Sequence, residues 1–158
     1  MASEDATYRV EKNLSVLLDT LSRQDISYGY AGDVDPESVT FIWQLLRLSG
    51  HRTGFISTVQ YSLGGEAQDN PEHQTTPEAP IVQRRLYEMV RNGCEYAVVE
   101  SSSHGLSRRT NRLGDVAFDC AVFMNVTLEH LEFHGTWEQY RDDKANLFRA
   151  LDAFSHRK

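Results

Sequence analysis

The sequence predicts an α/β domain, a three-layer sandwich of helices around a mainly parallel sheet, and three observations predict it. Short runs of β-branched and aromatic residues alternate along the chain with longer segments whose apolar residues recur every three or four positions. Two of the short runs, Tyr96–Val99 and Phe118–Met124, are continuous apolar stretches apart from Asp119, the pattern of strands covered on both faces. The 158 residues are 40% hydrophobic and 25% charged with only 4 prolines, which suits one packed core and excludes disorder and collagen-like repeats.

The elements follow in order. Val10, Leu14, Leu17, Leu18 and Leu21 form one stripe of a helix over residues 9–23, and Ile26–Gly32 reads as a short strand. Asp33-Val-Asp-Pro36 is a turn in which Asp35 can cap a helix and Pro36 fits its first turn. That helix carries Phe41, Leu45 and Leu48 at helical spacing and stops at Ser49-Gly50. Gly54–Leu63 reads as one strand entering a tight turn at Gly64-Gly65, and the polar stretch Glu66–Pro80 as a loop. Val82, Leu86, Met89 and Val90 mark a helix that ends at Gly93, with Arg84, Arg85 and Arg91 on its solvated face. Beyond Tyr96–Val99 and Glu100, Ser101–Gly105 with Arg108, Arg109 and Arg112 makes a basic loop or short helix, followed by the strand Phe118–Met124. The last helix opens at Thr136, where Thr136-Trp-Glu-Gln139 has capping-box form, and its stripe runs Tyr140, Leu147, Phe148, Leu151 and Phe154 with Lys144 upon it.

The 16 basic residues are outnumbered by 23 acidic ones, a formal charge of -7 that argues against nucleic acid or an anionic membrane as partner. Cys94 and Cys120 lie in apolar stretches with neither metal-type nor disulfide-type spacing, as reduced thiols do. The first residues lack a signal-peptide pattern and no apolar run reaches bilayer-spanning length, so a cytoplasmic protein is expected.

Three features carry candidate chemistry. Glu100 ends one expected strand and Asn125 follows another, at the sheet edge where parallel sheets bind ligands. A carboxylate there suits a hard cation such as Mg²⁺, or simply caps the backbone of Ser101–Ser103. His130 and His134 are four apart, as zinc ligands on a helix can be, yet the glutamate is misplaced for H-E-x-x-H and Gly135 ends the helix at once. A solvated or core-edge pair fits them better. Lys144 on an apolar stripe must snorkel, pair with an acid, or be used chemically.

Together, His73-Gln-Thr-Thr-Pro77, Val99-Glu-Ser-Ser-Ser-His-Gly-Leu106, Asn125–Gly135 and Asp143-Lys-Ala-Asn-Leu-Phe148 resemble, in order and spacing, the central domain of the Mur ligases. Among these the MurE-type enzymes match over about residues 41–152. The resemblance implies an ATP-dependent ligase that adds an amino acid to UDP-N-acetylmuramoyl-dipeptide through an acyl phosphate, in the peptidoglycan synthesis that sustains cell wall, shape and division. It implies Glu100 and His130 as Mg²⁺ ligands, and Lys144, beside them in catalysis, as the lysine this family carbamylates. Thr75, Thr76, Ser102 and Arg112 become contacts to the muramoyl-dipeptide. Residues 36–158 are then the central-like domain, and residues 1–35 a remnant of the uridine-nucleotide-binding domain.

Two departures from the family pattern shape the expected function. Where the family has a glycine-rich phosphate loop ending in Gly-Lys-Thr/Ser, this sequence has Gly32-Asp-Val-Asp-Pro-Glu-Ser-Val-Thr40, whose three carboxylates repel a triphosphate. The 158 residues also leave no room for the family's flanking domains. The expectation is a truncated central domain, a fragment or a deletion form, inactive alone as a ligase. The alternative is a non-catalytic module binding a muramoyl-peptide or a protein partner, and a zinc hydrolase built on His130 and His134 ranks last.

Overall fold

The computed structural model describes residues 36–72, 74–124 and 131–153, all within one compact unit, Pro36–Lys158. The helix expected over 9–23 and the strand Ile26–Gly32 lie outside the described residues. Among those described, the order is α1 (Pro36–Leu48), β1 (Thr53–Ile56), β2 (Gln60–Ser62), β3 (Gln68–Asp69), α2 (Ala79–Arg91), β4 (Tyr96–Val99), α3 (Ser103–Leu106), α4 (Leu131–His134) and α5 (Trp137–Ala153). The sheet runs β3-β2-β1-β4, with β1 parallel to β4 and the other two pairings antiparallel.

β1 is the centre of the unit, and all four of its residues are buried. Successive side chains of a strand point to opposite faces, so Phe55 and Ile56 serve two different layers. Phe55 packs against Val39 and Trp43 of α1, with the Trp43 ring 4.7 Å away, and the Trp43 indole N–H donates to the Thr53 carbonyl at 2.8 Å. On the other face Ile56 packs with Val82 and Met89 of α2 and with Leu113 and Val116. Helices therefore cover both faces of the sheet, as an α/β sandwich requires. Gly54 makes the close approach here, since a Cβ on it would lie 2.6 Å from Met89 Sδ and 2.8 Å from the Ser62 carbonyl oxygen.

Several sequence-based expectations change. The segment Gly54–Leu63 is two strands, because Ser57 and Gln60 close a turn in which the Ser57 N–H and hydroxyl both donate to the Gln60 carbonyl. The stretch Glu66–Pro80 holds the short strand β3, and α2 starts inside it. Among the described residues parallel pairing is confined to β1 and β4, so the sheet they form is mixed. Phe118–Met124 is no strand, and Val122, Phe123 and Met124 are exposed, while β4 forms a sheet edge with Tyr96 exposed. The inner face of α1 is Val39 and Trp43 rather than Phe41, Leu45 and Leu48; Phe41 and Leu48 face outward. Arg85, expected on a solvated face, is buried.

No helix among the described residues is long and apolar enough to cross a membrane. Cys94 is half-buried and its thiol is pushed up by burial, partly offset by the Arg52 charge, whereas Cys120 is exposed. Under a limiting alkylating reagent Cys120 is expected to react first, since exposure and thiolate character set the rate. Peptide mapping of the singly modified protein checks this, and predominant labelling of Cys94 would contradict the packing around it.

Candidate functional site

The parallel register pairs Ile56 with Val99, which sets Glu100 beside the turn that follows β1. The Glu100 N–H donates to the Ile56 carbonyl at 2.9 Å and continues the ladder by one bond. Its side chain is buried and turns back across the sheet rather than toward Ser101–Ser103: Oε2 accepts from the Thr58 N–H at 2.7 Å and lies 3.0 Å from the Thr58 hydroxyl. That hydroxyl is also 3.0 Å from the hydroxyl of Thr75. Hydrogen bonds from Thr58 to this one carboxylate oxygen hold the carboxylate in place.

Thr76 is the junction of the site. It is 1% exposed, its hydroxyl donates to the Glu100 carbonyl at 3.1 Å, and it accepts from the Ser102 N–H and the Ser102 hydroxyl, each at 3.0 Å. Ser102 in turn caps α3, its hydroxyl accepting from the Gly105 N–H at 3.1 Å. Arg112 closes the group: one terminal nitrogen donates to the Thr76 carbonyl at 3.0 Å and the other meets Glu78 at 2.6 Å. Thr75, Thr76, Glu100, Ser102 and Arg112, spread along the sequence from 75 to 112, are thus brought together.

The loop bearing Thr75 and Thr76 has its own anchor. Asn70 donates to the carbonyls of Ser57 at 2.8 Å and of Thr58 and Gln74 at 3.4 Å, and its side-chain oxygen accepts from Arg85 at 3.2 Å. Arg85 also pairs with Glu72 at 2.5 Å and stacks 3.9 Å from the Tyr61 ring centre. Breaking a buried pair of this kind leaves an uncompensated charge, so Arg85 belongs to the frame of the site.

Lys144 lies on α5, half-buried, its ammonium 5.1 Å from the ring centre of Tyr140. Tyr140 is fully buried against His134, whose ring centre is 5.2 Å away. His134 is hydrogen-bonded at both ring nitrogens, Nδ1 to Asp143 at 2.8 Å and Nε2 to the Ser103 hydroxyl at 3.0 Å. With both nitrogens engaged, His134 has none to offer a zinc ion, and the zinc-hydrolase expectation loses one of its two ligands. His130 lies outside the described residues, as do Asn125 and His73. Beside α5 a cavity of about 540 Å³ is lined by Arg108, Arg109, Arg149 and Asp142 among others. The hydrogen bond from Arg149 holds the Asp142 carboxyl below the usual carboxylate range, with the Arg149, Arg108 and Arg141 charges adding to it.

Thr58, Asn70, Arg85 and Asp143 are site or frame residues that reading the sequence missed. Among the described residues no three His, Cys, Asp or Glu converge as a metal cluster. Of the two expected Mg²⁺ ligands, Glu100 lies among the described residues, and it fits a hard cation: it is a fixed carboxylate with hydroxyls beside it, and Mg²⁺ takes few protein ligands and fills its shell with water and substrate oxygens.

A sheet covered by helices on both faces, with hydroxyls, a carboxylate and a guanidinium gathered at one strand edge, is a domain of the α/β class, in which that edge is the usual place for ligands. The Mur ligase middle domain profile matches residues 38–155, and the chain belongs to that family. It is similar to a UDP-N-acetylmuramyl-tripeptide synthetase of Treponema denticola, 58% identical over 149 residues, which are 94% of this chain and 28% of that protein. A synthetase of the same description from Treponema pallidum is 68% identical over 119 residues, 75% of this chain and 22% of the relative. Among solved structures, a UDP-N-acetylmuramoyl-L-alanyl-D-glutamate–2,6-diaminopimelate ligase superposes with a TM-score of 0.58 at 31% identity, covering 70% of this chain and 21% of that one. The chain therefore spans about a quarter of the length of these relatives.

Proposed function

We propose that this chain carries the muramoyl-peptide side of a peptidoglycan-building ligase and, by itself, binds that substrate without completing the reaction. The observation that carries the reading is the closure of Thr75, Thr76, Ser102, Arg112 and Glu100 around one buried threonine, at the sheet edge where α/β domains bind ligands. Hydroxyls and a guanidinium suit the amide and carboxylate groups of UDP-N-acetylmuramoyl-dipeptide or a related muramoyl-peptide. Glu100, with His130 as second ligand, would hold Mg²⁺, which when bound offsets phosphate charge. Lys144 is the residue to be carbamylated, which turns a half-buried cation into an anionic group.

Nucleotide binding is the weak side of the reading. In sequence, Asp33 and Asp35 precede α1, and Pro36 and Glu37 open it, where a phosphate loop offers backbone amides and a lysine. In a cytoplasmic setting this chain then acts as a substrate-binding domain, and the family's ATP step depends on residues beyond it.

Calorimetric titration tests both halves. UDP-N-acetylmuramoyl-dipeptide with Mg²⁺ is expected to give saturable heat that Arg112→Ala removes, while Mg-ATP gives none and no amide product forms with added amino acid. Tight Mg-ATP binding, or measurable amide formation by this chain alone, would overturn the proposal. So would the absence of any heat with the dipeptide.

A further inference from the structure

Ser103, His134 and Asp143 form a hydrogen-bonded row resembling a nucleophile, base and orienting acid, yet they are 2%, 6% and 2% exposed. A hydrolytic serine must meet an acyl carbon, and no substrate reaches an oxygen sealed this way. Burying three polar side chains is also costly compared with apolar ones of the same size. The row therefore calls for a different role, and its position suggests one. It ties together three segments that carry the candidate site: the first turn of α3, the end of α4 and the second turn of α5.

We propose that His134 is a positioning residue of the muramoyl-peptide site, acting through Ser103 on Ser102 and Thr76, with Asp143 fixing the ring. This rests on the substrate reading given above. A carboxylate only accepts, so in the neutral ring Nδ1–H donates to Asp143 and Nε2 takes the Ser103 hydroxyl proton. Gln139 donates to the other Asp143 oxygen at 3.1 Å and keeps that carboxylate from turning. Held by its hydroxyl, Ser103 sets the adjacent Ser102, whose N–H and hydroxyl both reach Thr76 and whose oxygen receives the Gly105 N–H. On the far side, Asp143 is the immediate neighbour of Lys144, so the same ring fixes the helix that bears the lysine against the loop that bears the threonines. Orienting groups of this kind act on a site as strongly as the ligand contacts they support.

Two substitutions separate the ends of the ring. An asparagine amide falls where Nδ1 lies and can keep only the Asp143 bond, whereas a glutamine amide falls near Nε2 and can keep only the Ser103 bond. Backbone amide exchange of Ser102 and Gly105 and the affinity for UDP-N-acetylmuramoyl-dipeptide are measured for His134→Asn, His134→Gln and Ser103→Ala. Ser103→Ala and His134→Asn are expected to speed exchange at those two amides about tenfold relative to α1 and to weaken binding by about the same factor, the size of one lost hydrogen bond to the site. His134→Gln keeps both within about twofold. Equal effects of the asparagine and glutamine variants, or exchange that rises uniformly through α1 and α2, would overturn the proposal. If the unsubstituted chain fails to bind the dipeptide while the exchange pattern appears as stated, the ligand reading falls and the link from His134 to Thr76 stands.

Discussion

Phe55→Ala is expected to destabilise the folded unit by about 3–5 kcal/mol, the range for truncating a fully buried aromatic side chain. Phe55 is completely buried between Val39 and Trp43 of α1 with Val98 of β4 alongside, and its loss leaves a void rather than a surface. A shift of Trp43 to close the void is opposed by its indole N–H, which is held by the Thr53 carbonyl two residues along β1. Residual cavity volume adds to the lost transfer energy in such a site. Urea unfolding followed by fluorescence should show a lower midpoint with an unchanged slope. Phe41→Ala supplies the contrast: Phe41 is 38% exposed, and its removal should cost less than about 1 kcal/mol. Equal costs for the two would mean that α1 lies on the sheet by the face that Phe41, Leu45 and Leu48 define.

That contrast also shows what could be read from the sequence. Element ends were legible because they depend on local signals: Pro36 opens α1, Gly50 and Gly93 take positive φ after α1 and α2, and the Thr136 hydroxyl accepts from the Gln139 N–H at 3.2 Å to start α5. Which side of a helix faces inward was less legible. In α1 two stripes of apolar residues compete, and the choice falls to Trp43 because only it finds both an aromatic partner and a carbonyl. The turn between β1 and β2 contains neither glycine nor proline; hydrogen bonds of the Ser57 hydroxyl make it, a weaker turn signal than either. Motif spacing pointed to Glu100, Thr75, Thr76, Ser102 and Arg112. It did not point to Thr58, which reaches Glu100 only through strand register, and it carried Asp143 only as the opening residue of a motif, with no sign of its pairing to His134.

Gly105→Ala is expected to abolish measurable binding of UDP-N-acetylmuramoyl-dipeptide and to lower stability by about 1–3 kcal/mol, as overpacking does. A Cβ on Gly105 would stand 2.5 Å from Thr76 Cγ2, 2.7 Å from its Cβ and 2.8 Å from its hydroxyl oxygen. Thr76 has little freedom to yield, since a β-branched side chain has few rotamers and its hydroxyl is engaged by Glu100 and Ser102. The displacement therefore falls on the residue that joins Glu100, Ser102 and Arg112. Gly65→Ala is the matching control, because an added methyl there meets nothing within 4 Å and should leave binding unchanged. A second substitution isolates the cause. Thr76→Ser removes Cγ2, the nearest clashing atom, and keeps the hydroxyl, so in that background Gly105→Ala should cost less in both stability and affinity than in the parent chain. Such non-additivity is what contact between two residues produces. Additive losses would place the clash elsewhere, and unchanged dipeptide binding in Gly105→Ala would remove Thr76 from the substrate site.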